Sequence, residues 1–213
     1  MSAGIPLDHA KAVMIMVHGR NAGPENILDL IPRLDRAGFS FLAPAAAGRT
    51  WYPLSFLAER SKNEPDLSSG LAMLDTLVAD VVGRGIAKEQ IVLSGFSQGA
   101  CLTAEYAVRH ADRFGGLVIF SGGLIGPPGT TWDNEGAFDG TPVFLGCSDV
   151  DAHIPKQRVE QSAEVFTRMG ADVTARLYPG MGHLVNDDEI AAARVVMDEV
   201  LGSAISRRQS PPD

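Results

Sequence analysis

The sequence predicts a single α/β domain, with a mostly parallel central sheet and helices on both faces. Apolar runs of strand length alternate with segments of helical periodicity along the whole chain. Several of these runs are continuously apolar rather than alternating, which is typical of parallel strands that are buried on both faces. The six predicted strands cover residues 12–17, 39–43, 91–96, 116–121, 142–147 and 173–178.

Five segments carry apolar residues near the 3.6-residue spacing of a helix. They cover residues 27–37, 68–82, 99–110, 156–169 and 187–201. Gly38, Gly83 and Gly170 follow three of these segments and are predicted to end them, since glycine favours the left-handed conformation found after many helices. In sheets of this kind ligands bind beyond the carboxyl ends of the strands, so functional residues are expected just after a strand.

Length and charge limit the classes of protein to which the chain can belong. The 213 residues suit one domain, assigned here to residues 1–205, and the polar, Pro-containing residues 206–213 are predicted to form a flexible tail. The net charge of −8 argues against a nucleic-acid partner, because nucleic-acid-binding proteins normally carry a basic patch.

The cysteine content and the first residues favour a cytoplasmic protein without a transmembrane segment. Cys101 and Cys147 are too few for a disulfide framework and lie in apolar segments, so buried thiols are expected. The first ten residues lack the basic region of a secretory signal, and the apolar run at 12–17 is too short to cross a membrane. The sequence leaves open whether the protein is a monomer or a homodimer.

A serine stands in a glycine-flanked turn between a predicted strand and a predicted helix. The residues Gly95-Phe96-Ser97-Gln98-Gly99 match the G-x-S-x-G pattern of a nucleophile elbow. In so tight a turn a Cβ at either glycine would collide with a neighbouring element, and the strained backbone would expose the serine hydroxyl. Ser97 is therefore predicted to be the nucleophile of a hydrolase with the α/β-hydrolase fold. The alternative is a glycine-rich turn with an incidental serine.

A nucleophilic serine needs a histidine base and an orienting carboxylate, which in this fold follow in the order Ser, Asp or Glu, His. His183 lies in a loop after the last predicted strand and is the expected base, whereas His153 is expected to be a pocket-wall or surface residue. The loop after residues 142–147 offers two carboxylates. Asp151 is preferred because it stands further out of the strand, and Asp149 remains the alternative.

Two backbone N–H groups are expected to form an oxyanion hole. One belongs to Gln98, which follows the nucleophile, and the best candidate for the other belongs to Arg20, in the loop after the strand at 12–17. His18 is expected to hold that loop rather than to take part in catalysis. The chain lacks the P-loop, the G-x-G-x-x-G pattern and the H-E-x-x-H and C-x-x-C metal spacings, so no metal or other cofactor is expected.

Several motifs together resemble the phospholipase/carboxylesterase family, which includes acyl-protein thioesterases. The resemblance implies an α/β-hydrolase fold and assigns the acid to Asp151, because the family places its acid four residues before a proline. It also implies that the N–H groups of Arg20 and Gln98 form the oxyanion hole. The motifs extend from about residue 12 to residue 200 and are Val17-His18-Gly19, Ala43-Pro44-Ala45, Trp51-Tyr52, Gly95-Phe96-Ser97-Gln98-Gly99-Ala100, Asp151 before Ile154-Pro155, and Gly182-His183.

The chain also has features that the family pattern does not supply. The family commonly has an apolar residue and then Gly-Asp after His-Gly, whereas here Arg20 follows, so a guanidinium is expected at the mouth of the acyl pocket. The segment 124–140 is longer than a simple connection and is a candidate lid or pocket wall. Trp51, Tyr52 and Leu124 are candidate substrate-binding residues of the pocket wall, with ordinary core packing as the equal alternative.

These residues predict a carboxylesterase, with thioesterase or lysophospholipase activity as variants, that works through an acyl-enzyme on a small-molecule ester or thioester. His183 would take the proton of Ser97, Asp151 would orient the imidazole, and water would release the acyl group. Small polar or aromatic esters and lactones are the alternative substrates, suggested by Arg20. A catalytically silent binding protein with the same fold is the alternative from another class.

Overall fold

A seven-stranded sheet lies at the centre of the computed structural model, which describes residues 1–34 and 36–209, with side chains as far as residue 203. The strand order is β1-β3-β2-β4-β5-β6-β7. Only the β1–β3 pair is antiparallel, and the other five neighbouring pairs are parallel, so the predicted fold class is confirmed. The strands are β1 (Ser2–Gly4), β2 (Ala12–Val17), β3 (Phe39–Leu42), β4 (Ile91–Phe96), β5 (Gly116–Phe120), β6 (Pro142–Ser148) and β7 (Asp172–Tyr178).

All six predicted strands are present, each within one residue of its predicted bounds. Strand β1 was not predicted. It has three residues, pairs with β3 at the edge of the sheet and contains no apolar run, so it leaves no hydrophobic signal in the sequence.

The helices agree with the prediction except at 27–37, at the stop predicted at Gly83 and at the end of the last helix, which extends beyond residue 201 to Gln209. The predicted helix at 27–37 is instead two short helices, because Pro32 has no N–H to bond to the carbonyl of Leu28 and so interrupts a continuous helix there. The predicted stop at Gly83 is also wrong, since the helix includes this residue and the left-handed residue is Gly85, at φ +86°. The helices are α1 (Pro24–Leu28), α2 (Ile31–Leu34), α3 (Asp66–Gly83), α4 (Gln98–Arg109), α5 (Lys156–Arg168) and α6 (Asp187–Gln209).

Helices cover both faces of the sheet and create two separate cores. Helices α3, α4 and α5 pack on one face, against side chains such as Ile15 and Leu93. Helices α1, α2 and α6 pack on the other face, against side chains such as Met14 and Val92. Consecutive residues of a strand point to opposite faces, so burial on both sides accounts for the continuously apolar runs.

Three further expectations concern the ends and the thiols of the chain. Cys101 and Cys147 are free and buried, as predicted. Helix α6 runs to Gln209 and so overlaps the tail predicted at 206–213, of which residues 210–213 lie outside the described part. None of the helices in the described part is long and apolar enough to cross a membrane.

Candidate active site

The turn between β4 and α4 holds Ser97 in a strained conformation, at φ +56°. A Cβ on Gly95 would lie 2.6 Å from the backbone nitrogen of Ala100, and a Cβ on Gly99 would overlap the carbonyl oxygen of Val17. Only glycine fits at these two positions, because helix α4 starts in direct contact with strands β2 and β4. The turn therefore places Ser97 at the carboxyl end of the central strand, in the wall of an open cleft.

A continuous chain of hydrogen bonds links Ser97 to two residues far along the sequence. The Ser97 hydroxyl donates to His183 Nε2 at 2.8 Å, and His183 Nδ1 donates to Asp151 Oδ2 at 2.6 Å. The other carboxylate oxygen of Asp151 accepts the N–H groups of His153 at 2.8 Å and Ile154 at 3.1 Å. Burial by itself would raise the pKa of Asp151, but these hydrogen bonds outweigh it and lower the pKa, so the carboxylate is ionised.

The residues left as alternatives have other contacts. Asp149 accepts the N–H of Gly180 at 2.8 Å and thereby holds the loop that carries His183. The ring of His153 lies edge-on against the ring of His183, with centroids 4.9 Å apart, and lines the cleft. The structure thus brings Asp151, and not Asp149, to the imidazole.

Sequence reasoning missed the residues that anchor the loop of His183. The Ser148 hydroxyl donates to the carbonyl of Met181, and Arg33 Nη1 donates to the carbonyl of Val185 at 3.3 Å. At the start of α6, Asn186 and Glu189 form a reciprocal pair, each side chain accepting the backbone N–H of the other at 2.8 Å. This spacing of three residues before a helix is a capping-box signal that the sequence does contain.

Glu189 is fully buried beneath this loop. Burial raises the pKa of its carboxyl group to about 7. Among the described residues its Oε1 has no hydrogen-bond partner, whereas Oε2 accepts the N–H of Asn186.

The exposed guanidinium of Arg20 lies at the rim of the cleft and bonds to neighbouring protein oxygens. Its Nη1 donates to the carbonyl of Pro53 at 2.9 Å and to the hydroxyl of Thr50 at 3.1 Å. Its Nη2 donates to the carbonyls of Tyr52 at 2.9 Å and Leu54 at 2.7 Å. Both terminal nitrogens thus hold the segment 50–54, and the guanidinium lies at the mouth of the cleft, as expected.

The side chain of Gln98 also hydrogen-bonds to the segment 50–54. Its Oε1 accepts the N–H of Trp51 at 3.0 Å, and its Nε2 donates to the carbonyl of Tyr52 at 2.7 Å. Within the described part of the chain, the backbone N–H groups of Arg20 and Gln98 donate to no other protein group. The backbone N–H groups of Arg20 and Gln98 are therefore available for the predicted oxyanion hole. The side chains of the same two residues hold one wall of the cleft.

His18 holds the first loop, as expected. Its Nδ1 donates to the carbonyl of Gly19 at 2.8 Å, and its Nε2 accepts the N–H of Ala46 at 3.1 Å. Burial lowers the pKa of this imidazole, so it is neutral and its tautomer is set by these two contacts. The Trp51 indole N–H donates to the carbonyl of His18 at 2.8 Å.

The cleft beside Ser97 has a volume of about 500 Å³. Of the three candidate wall residues, Tyr52 lines it and the other two do not. Trp51 is buried under His18, and Leu124 is fully buried with its carbonyl accepting from Arg158, so both belong to the core. The cleft also has apolar wall residues that sequence reasoning missed: Phe56, Cys101 and Ile154.

The segment 124–140 lies away from this cleft, and none of its residues lines it. Its Trp132 packs 5.1 Å from the guanidinium of Arg158 on α5, and its N–H groups at Ile125 and Trp132 donate to the buried carboxylate of Glu105. The segment is therefore anchored in the core, and its predicted place in the pocket is wrong. Among the described residues no group of three His, Cys, Asp or Glu side chains is arranged to hold a metal ion.

Comparisons with known proteins identify the family of the chain. A family profile described as Phospholipase/Carboxylesterase matches residues 35–200. The solved structure of a phospholipase/carboxylesterase from Dyadobacter fermentans is 39% identical, covers 94% of this chain and 95% of its own, and has a TM-score of 0.87. Acyl-protein thioesterase 1 of Eremothecium gossypii is 31% identical over 73% of this chain. Acyl-protein thioesterase 1 of Gibberella zeae is 33% identical over 64% of this chain.

These matches differ in the share of the relative that they cover. The aligned part spans 68% of the Eremothecium protein and 55% of the Gibberella protein. The family profile covers well over half of the chain and includes Ser97, Asp151 and His183. The chain therefore belongs to the phospholipase/carboxylesterase family of ester hydrolases with the α/β-hydrolase fold.

Proposed function

We propose that the protein hydrolyses carboxylic esters or thioesters through an acyl-enzyme formed on Ser97. The observation that carries this proposal is the hydrogen-bond chain from Ser97 through His183 to Asp151, which starts at a strained turn. A serine hydroxyl is a weak nucleophile unless a neighbouring base removes its proton. A buried, ionised carboxylate on the far side of the imidazole orients that base and stabilises its cationic form.

In the first step His183 Nε2 takes the proton as Ser97 Oγ attacks the carbonyl carbon. The negative charge that develops on the carbonyl oxygen is stabilised by the N–H groups of Arg20 and Gln98, which have no other protein acceptor in the described part. His183 then returns the proton to the departing oxygen or sulfur. In the second step water takes the place of the alcohol or thiol, and the acid is released.

The cleft favours an apolar acyl group. Phe56, Cys101 and Ile154 form an apolar part of its wall. Both terminal nitrogens of Arg20 donate to backbone and hydroxyl oxygens of the protein. The alternative of polar esters or lactones rests on Arg20 at the rim, whose terminal nitrogens already bond to protein oxygens, so the apolar wall favours the apolar acyl group over it. The names of the relatives, acyl-protein thioesterase and phospholipase/carboxylesterase, support an ester or thioester as the bond that is cleaved.

The test combines a fluorophosphonate probe with 4-nitrophenyl butyrate and butyryl thiocholine as substrates. Ser97→Ala should abolish labelling and lower kcat by about 10⁴-fold or more, because the serine acts as a unit with its base. Ser94→Ala is the matched control: it removes a hydroxyl three residues earlier, whose Oγ is buried and has no partner among the described residues, so activity should be unchanged. Near-normal turnover by Ser97→Ala would overturn the proposal, and an unlabelled, inactive wild-type protein would favour the silent binding protein.

A further inference from the structure

A second cleft, of about 530 Å³, lies on the other side of His183. The two clefts share Phe96, His183 and the loop from Gly19 to Ala22. The first cleft alone includes Ser97 and Gln98. The second cleft has as its own lining residues His18, Asn26, Ile27, Leu30, Arg33, Leu184 and Val185.

The reaction geometry gives these two clefts different places around the scissile bond. When Ser97 attacks, the carbon carries the serine oxygen, the oxyanion, the acyl chain and the leaving atom. The leaving atom must receive its proton from His183 Nε2, so the alcohol or thiol lies on the side of the imidazole. The imidazole borders both clefts, whereas the serine borders only the first. The second cleft, which the imidazole borders and the serine does not, therefore has the position expected for a leaving group.

The second cleft has an aliphatic wall, formed by Ile27, Leu30, Leu184 and Val185, beside its polar lining residues. Ile27 is buried, and the side chain of Leu184 is 48% exposed at its edge. Among the described residues, Arg33 is the cation that lines the second cleft and not the first. It is paired with Asp187 at 2.7 Å and also donates to the carbonyl of Val185. A group bound there meets aliphatic side chains and neutral amides, and at the shared loop it meets Arg20, whose terminal nitrogens bond to the segment 50–54.

We propose that this second cleft binds the alcohol or thiol portion of the substrate, as an uncharged apolar chain lying against Ile27, Leu30 and Leu184. The inference rests on the proposed function, because it uses the protonated His183 to decide which side the leaving group occupies. It adds a second specificity determinant: the enzyme distinguishes leaving groups by chain length, independently of its acyl preference.

The chain offers a matched pair of leucines for the test. Leu54 lines only the first cleft and is 45% exposed, whereas Leu184 lines only the second and is 48% exposed. Leu30→Ala provides a further second-cleft variant on a different element, since Leu184 adjoins His183. The substrates are methyl acetate, hexyl acetate and methyl hexanoate, and kcat/KM is measured for each with the wild type and the three variants.

Leu184→Ala and Leu30→Ala should lower the ratio of hexyl acetate to methyl acetate by about three- to tenfold, the usual effect of removing part of an apolar subsite. Leu54→Ala should instead lower the ratio of methyl hexanoate to methyl acetate. Any disturbance of His183 acts on all three esters and cancels in these ratios. The inference is overturned if neither second-cleft variant changes the hexyl acetate ratio, or if only Leu54→Ala changes it. Failure of the wild type to hydrolyse any ester or to label with the probe would instead overturn the proposed function, and the inference with it.

Discussion

The turn of Ser97 and the loop of His183 bring two parts of one hydrogen-bond chain together by different physical means. Around Ser97 the backbone itself sets the position, because Gly95 and Gly99 leave no room for a Cβ between strand and helix. Around His183 polar side chains set the position, through Ser148 and Asn186 on either side of the loop. The turn of Ser97 depends on steric limits that only glycine satisfies. The loop of His183 depends on hydrogen bonds, each of which contributes less free energy than a backbone clash would cost.

This contrast predicts the largest effect for a substitution in the turn. Gly99→Ala should destabilise the fold by about 3 kcal/mol or more, because its Cβ would overlap the carbonyl oxygen of Val17 and force β2 and α4 apart. Activity should be lost as Ser97 is displaced. Urea unfolding measures the stability, and fluorophosphonate labelling reports on the serine.

Gly182→Ala is the corresponding change in the loop of His183. Its added Cβ would meet only the side chain of Leu184, at 3.8 Å, so the free energy of unfolding should change by less than about 1 kcal/mol. If Gly99→Ala were as stable and as reactive as Gly182→Ala, the steric account of the turn would be wrong.

Asp149 and Asp151 lie in the same loop, and substituting each of them tests which one is the acid partner of His183. Asp151→Asn should lower kcat by about 10⁴-fold, because an amide no longer stabilises the imidazolium or selects the tautomer of His183. Asp149→Asn keeps an oxygen that can accept the N–H of Gly180, so kcat should fall by less than about threefold. Steady-state kinetics with 4-nitrophenyl butyrate distinguishes them, and similar losses in both variants would contradict the assignment of the acid.

A smaller effect than that of Gly99→Ala, and one that depends on pH, is expected beneath the loop, at Glu189. Burial raises the pKa of this carboxyl group from 4.5 to about 7 in the folded state. The folded protein therefore holds a proton that the unfolded chain releases between these values, so stability is full below pH 4.5 and falls as the pH rises to about 7. The loss amounts to about 3 kcal/mol at most.

Glu189→Gln should remove this dependence, since its neutral amide does not titrate. Urea unfolding at pH 5 and pH 8 should show the wild type losing more stability than the variant. The side chain of Gln can still accept the N–H of Asn186, so the cap is retained. Parallel pH curves for the two proteins would show that Glu189 is not the titrating group.

The sequence predicted the elements that depend on local pattern. The buried strands gave continuous apolar runs, and the turn of Ser97 gave its two glycines, because each is a requirement of neighbouring residues along the chain. It missed β1, whose three residues carry no apolar pattern, and it overlooked Pro32, which separates α1 from α2. The spacing of Asp151 alone left Asp149 open, because both carboxylates lie on the same short loop.

The sequence by itself determined the fold class, the strained serine and the small set of residues from which its partners had to come. Only the tertiary structure showed that Asp151, and not Asp149, hydrogen-bonds to His183, that Arg20 bonds to the wall of the cleft, and that Leu124 belongs to the core. The physical reason is the range of the interactions. Hydrophobic periodicity and glycine sterics act over a few neighbouring residues, whereas a side-chain hydrogen bond joins whichever groups the folded sheet brings within about 3 Å.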